Sequence, residues 1–157
     1  MKTQIGIKPE NSVQVADALN KLLSDEHVLY IKTRNAHWNV EGPDFASVHK
    51  FFEGQYDELE GIIDQVAERI RSIGHYAEGT MGEYLRLTKL NEESREGNDS
   101  LSYIKDLLSD HEAIIIELRE NVTRFADDLF DFGSSDFITG LMETHEKMAW
   151  MLRAHLK

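Results

Sequence analysis

The chain has no cysteine, so disulfides, thiolate metal sites and cysteine nucleophiles are excluded, and nitrogen and oxygen must carry any metal site. A reducing cytoplasm suits such a chain, and a cytoplasmic location is the expectation. Proline is scarce: only Pro9 and Pro43 occur, each where a helix should begin rather than inside one, so long helices can run unbroken. No window approaches the roughly 20 apolar residues of a membrane-spanning helix, and the opening MKTQIGIKPE has no apolar stretch of the signal-peptide kind. The expectation is a soluble, unprocessed protein with no membrane partner. Positive charge is in deficit, with 17 Lys and Arg against 29 Asp and Glu and a formal net charge of −12. That balance opposes nonspecific contact with nucleic acid and favours cations, iron and manganese among them, as partners.

What is present is helical periodicity. With 157 residues and 41% hydrophobic content, the chain can build one domain with a substantial core and is too short for two. A single domain over 1–157 with a short N-terminal tail of about ten residues is expected. Apolar residues at mixed three and four spacing predict a first helix from about Asn11 to about Trp38, carrying Val13, Ala16, Leu19, Leu22, Leu23, Val28 and Ile31. A second runs from about Asp44 to a stop at Gly74. Thr80 and Glu83 have capping-box spacing and predict a short helix through Leu87. After the polar run NEESREGND, a third long helix is expected from about Ser100 to Phe125; after DDLFDFGSS, a fourth from about Ser135 to the end. Short connections imply antiparallel neighbours, and the stretch of about 25 residues between Gly74 and Asn98 is long enough to cross a bundle. The fold class is therefore all-α: a four-helix bundle of ferritin-like connectivity, with a short extra helix in the long crossover between helices two and three.

The second helix carries two ligand pairs, His49 with Glu53 and Asp64 with Glu68, each projecting two metal-capable groups from one helical face. At 1.5 Å rise per residue, Glu53 and Asp64 lie roughly 16 Å apart along that helix, beyond the reach of one metal ion. If both pairs serve one site, a second copy of the chain must supply one of them, most simply across a twofold axis with the helices antiparallel. With His37 added, two imidazoles and three carboxylates suit iron in both oxidation states. Spacing alone leaves a plainer reading open, in which these acids are a solvated helix face and the histidines are incidental. No histidine has a glutamate three residues before it, so the Glu-x-x-His iron site inside each bundle is not expected.

The segment from Thr33 to Ile70, TRNAHWNVEGPDFASVHKFFEGQYDELEGIIDQVAERI, resembles the Dps family of miniature ferritins, the DNA-binding proteins from starved cells. The shared pattern is His37-Trp38, the turn from Gly42 to Phe45, His49, Glu53, and Asp64 with Glu68 and Arg69; the likeness extends to the final Trp150-Met151-Leu152 segment. The resemblance implies a hollow homododecamer with ferroxidase centres at twofold interfaces, His37, His49 and Glu53 from one subunit meeting Asp64 and Glu68 from its mate. Iron would be oxidised there, with hydrogen peroxide as the preferred oxidant, and stored inside as ferric mineral. Many members have Asp where this chain has Glu53. Arg34 matches a basic position able to pair with the site acid, and Trp38 would pack beside the centre, although core packing would explain it equally well. Asp136, followed by Asp131 and Asp128, would line a threefold pore for iron ions; without the resemblance, these residues and Asp127 read as a solvated helix N-terminus. DNA compaction, which the family name suggests, needs cations near phosphate. Here the first ten residues hold only Lys2 and Lys8 and the last five only Arg153 and Lys157, so weak or absent DNA binding is expected.

Overall fold

In the computed structural model, which describes residues 3–92 and 97–157, four long helices and one short one account for most of the chain. Lys2 and the centre of NEESREGND lie outside the described residues. Helix α1 (Pro9–Asn39) starts two residues before the expected Asn11, because Pro9 occupies the first turn, where a missing N–H costs nothing. It stops before Gly42, whose φ of 131° is a turn conformation open to glycine. Helix α2 (Phe45–Ser72) buries Val48, Phe52, Gln55, Leu59, Ile62, Val66 and Ile70 at mixed three and four spacing, which leaves its opposite side to polar residues. It ends at Gly74, φ 97°, with His75 N–H returning to the Ile70 carbonyl at 3.1 Å.

The short helix α3 (Met81–Leu87) forms where the capping box is expected, with the Thr80 hydroxyl accepting from Glu83 N–H at 3.3 Å. It packs on α1, where Asp25 accepts from the Thr88 hydroxyl at 2.6 Å and from Lys89 N–H at 2.8 Å. The crossover ends at a bridge between Glu41 and Asp99, where Glu41 N–H meets the Asn98 carbonyl at 2.9 Å. Helices α4 (Ser100–Thr123) and α5 (Phe132–Ala154) pack antiparallel, as the ion pairs Arg119–Glu146 and Arg153–Glu112 show. Contacts are most extensive between α1 and α2 and between α4 and α5. Buried faces of all four long helices close one core around Leu19, Phe52, Leu59, Ile114, Ile138 and Leu152.

Two expectations need correction. The run DDLFDFGSS is not a plain loop: α4 continues through a π-helical turn, Arg124–Asp128, and α5 begins at Phe132 rather than Ser135. The cause is Asp131, whose carboxylate accepts from Ser134 N–H at 2.9 Å and from the Ser134 hydroxyl at 2.6 Å, capping the helix three residues early. Val13 and Ile31, at apolar positions of the first helix, are 46% and 41% exposed, because periodicity does not separate an inward stripe from its flanks.

Candidate metal centre

The turn at Gly42 folds the last turn of α1 back on the start of α2 and sets His37 against His49. Their rings stack at 3.7 Å between centroids, 21° apart. Each Nδ1 lies against the other's backbone carbonyl, His37 to His49 O at 2.8 Å and His49 to His37 O at 2.7 Å. A carbonyl only accepts, so both Nδ1 atoms carry a proton, and in the neutral ring each Nε2 keeps a lone pair, the form that ligates metal. Phe45 flanks His49 at 5.0 Å, and Tyr56 stands edge-on to His37 at 5.1 Å and 82°.

Glu53, one turn beyond His49, is half-buried and bonded to Lys50 Nζ at 2.5 Å. The Lys50 hydrogen bond holds its carboxyl below the usual glutamate range; the Lys50 charge and the two imidazoles act the same way, against partial desolvation. It is thus a carboxylate at neutral pH, and its partner is exposed enough to yield to a cation. Asp64 and Glu68 stand farther along α2, exposed, with no side-chain hydrogen bond or ion pair among the described residues. Asp64 shares with His27, Asp57 and Glu60 a groove of about 600 Å³ between α1, α2 and α3. Among the described residues, no three His, Asp or Glu side chains converge on one metal-sized point. The structure brings His37 and His49 together, with Glu53 adjacent, and leaves Asp64 and Glu68 apart from them on the same helix.

Arg34 lies over three aromatic rings, 4.6 Å from the centroid of Tyr56, 5.1 Å from Trp38 and 5.6 Å from Tyr30, and donates to the Tyr30 hydroxyl at 2.8 Å. Its Nε is shielded from solvent without a hydrogen-bond partner among the described residues. Trp38 is not a core residue: it is 60% exposed beside the histidine pair. Of the acids at the α4–α5 corner, Asp127, Asp128 and Asp136 face solvent, whereas Asp131 is 2% exposed and bound to Ser134 and Arg69.

The Ferritin family, described as a ferritin-like domain, matches residues 16–157. DNA protection during starvation protein 2 of Bacillus anthracis is 38% identical over 143 residues, 91% of this chain and 97% of that relative. The chain belongs to the Dps family. A low temperature-induced protein of Nostoc is 40% identical over 156 residues, 99% of this Dps-family chain and 87% of the relative. Among solved structures, a Dps protein of Vibrio cholerae O1, described as a member of a broad superfamily of ferritin-like diiron-carboxylate proteins, superposes with a TM-score of 0.93 at 30% identity. That match covers 100% of this chain and 98% of the other.

Several residues around the histidine pair escape motif reading. Tyr30, Tyr56 and Lys50 join the cluster only through packing, although a signal exists: Tyr30 stands seven residues before His37 and Tyr56 seven after His49, two helical turns on the same face. Glu26, His111 and His145 also assemble, in the core of this Dps-family bundle, from positions with no spacing pattern.

Proposed function

We propose that this Dps-family protein is a ferroxidase and iron store, built from two half-sites across a twofold axis of a homododecamer. The observation that carries the reading is the reciprocal bonding of His37 and His49, which leaves Nε2 of both stacked rings free for a metal ion, with Glu53 one turn beyond His49 as a third ligand. Asp64 and Glu68 of the partner subunit complete the set. One antiparallel register serves both pairs: with Glu53 opposite Asp64 of the partner subunit, a step of four residues places His49 opposite Glu68 of the partner subunit. The diiron-carboxylate description of the Vibrio cholerae structure supports iron as the substrate. Two ferrous ions each give one electron to hydrogen peroxide, which with two protons becomes two waters, so no hydroxyl radical is released. Carboxylates bridge the ferric product, and the imidazoles hold the ferrous ions beforehand. Arg34, fixed among its aromatic neighbours, meets a carboxylate of the assembled centre, with Trp38 alongside. Asp136, with Asp128, draws iron through an acidic pore into the cavity, where ferric mineral accumulates in a cytoplasmic store that protects against oxidative stress.

The test is to load the assembled protein with Fe²⁺ without oxygen, add hydrogen peroxide and follow ferric absorbance. The unaltered protein should oxidise iron rapidly and keep it soluble, while His49→Ala slows the reaction by roughly 10- to 100-fold or more. Oxidation by both proteins at the rate of buffer would overturn the reading.

DNA compaction finds less support. The net charge is −12, and the terminal Arg153 is engaged by Glu112 at 2.7 Å. Counterion release then supplies little affinity, and a gel shift at physiological salt should leave duplex DNA unbound. Retention that persists as salt is raised would contradict this.

A further inference from the structure

Three titratable side chains that the metal centre does not use meet in the middle of the bundle. Glu26 on α1 and His145 on α5 are 0% exposed, and His111 on α4 is 1% exposed. They form a chain: Glu26 Oε1 lies 2.8 Å from His145 Nε2, and His145 Nδ1 lies 2.9 Å from His111 Nδ1. The second oxygen of Glu26 has no hydrogen-bond partner among the described residues. The ligating atoms do not converge, since Glu26 and His111 contact opposite ends of the His145 ring, so this is a proton-bearing relay rather than a metal cage.

The proton count follows from the contacts. His145 Nε2–H donates to the Glu26 carboxylate, and the gap between the two Nδ1 atoms holds one proton, because two N–H groups facing each other at that distance would repel. Glu26 offers the histidine pair one counter-charge. A second imidazolium, on His111, would have neither a counter-charge nor an acceptor across the gap. Other buried charged groups nearby are already engaged: Asp25 with Thr88 and Lys89, Asp110 with Lys32. Helix α2 buries no charged side chain fully: its buried polar residue is Gln55, and its half-buried Arg69 is bound to Asp131 at the α4–α5 corner.

We propose that Glu26, His145 and His111 form an acid-sensitive clasp, in which protonation of both histidines breaks the α4–α5 contact and releases α1 from the pair. Burial, and then the neighbouring His145, hold His111 well below the usual imidazole range. The unfolded chain takes up its proton near pH 6.5, while the folded chain refuses it until lower pH. Stability is therefore complete above about pH 6.5 and falls as pH drops below it, by up to tenfold in the unfolding equilibrium per pH unit. Asp25 and Asp110, whose carboxyls burial pushes up, act in the opposite direction; His27, which burial holds below the usual imidazole range, acts in the same direction as His111 and is unchanged in the variants compared below.

The test compares denaturant unfolding of the assembled protein, at fixed concentration from pH 8 to pH 5.5, with that of His111→Phe and His111→Asn. The unaltered protein should lose about tenfold per pH unit in its folding equilibrium below pH 6.5, and both variants should lose distinctly less. Nitrogen NMR of the unaltered protein reads the clasp directly, with His111 staying neutral until the folded signals vanish. Equal pH slopes in all three proteins, or ordinary titration of His111 near pH 6.5 with the fold intact, would overturn the proposal.

Discussion

Co-assembly of His49→Ala chains with Asp64→Ala chains should restore iron oxidation that neither variant supports alone. Each variant by itself damages every shared centre, because the half-site it spoils is present at each interface. In a mixed pair, one centre receives both defects and the other neither. Random one-to-one mixing makes about half the interfaces mixed and revives one centre in each, so about a quarter of the full rate returns. Separation of the pairs on one α2, roughly 16 Å between Glu53 and Asp64, is the physical ground for this expectation. Peroxide-driven ferric absorbance of co-refolded assemblies, compared with each variant refolded alone, makes the measurement. Two inactive variants that stay inactive when mixed would mean that each centre is built within one chain. Full activity in either single variant would remove that residue from the centre.

Asp131→Ala should lower stability by about 2–4 kcal/mol, whereas Asp136→Asn should leave it within about 0.5 kcal/mol and act on iron uptake instead. The two acids are five residues apart in sequence, with opposite surroundings. Asp131 caps α5 through Ser134, and its Oδ1 meets Arg69 Nη2 at 3.3 Å, tying the α4–α5 corner to α2. Removing it loses the cap and leaves a partly buried guanidinium without its charge partner, which is the costly half of breaking such a pair. Asp136, exposed on the first turns of α5, has no such bonds among the described residues. Denaturant midpoints of both variants, read beside their rates of ferrous ion uptake, separate the roles. Equal stability of Asp131→Ala and the unaltered protein would show that the cap contributes little.

The helices were legible because their signals are local. Pro9, Gly74, the Thr80–Glu83 box and the three-and-four spacing through α2 each act within a turn or two of chain, and each marks a boundary or face where the structure has one. The α4–α5 corner was less legible, since Asp131 reads as a solvated acid near a helix N-terminus until Arg69, 62 residues away, is seen against it. Trp38 shows the same limit: its identity does not reveal whether it faces the core or, as here, solvent beside Arg34.

By itself the sequence determined the helical class, the crossover with its short helix, the acidic character, and two pairs of metal-capable side chains whose spacing forbids one chain from closing both on one ion. Tertiary structure alone decided that His37 and His49 lock each other's tautomers, that Arg34 sits among three aromatic rings, and that Glu26, His111 and His145 meet in the core. The division has one physical cause. Periodicity and capping are set by neighbours along the chain, whereas the protonation state of a side chain is set by neighbours in space, here brought from as far as 119 residues away.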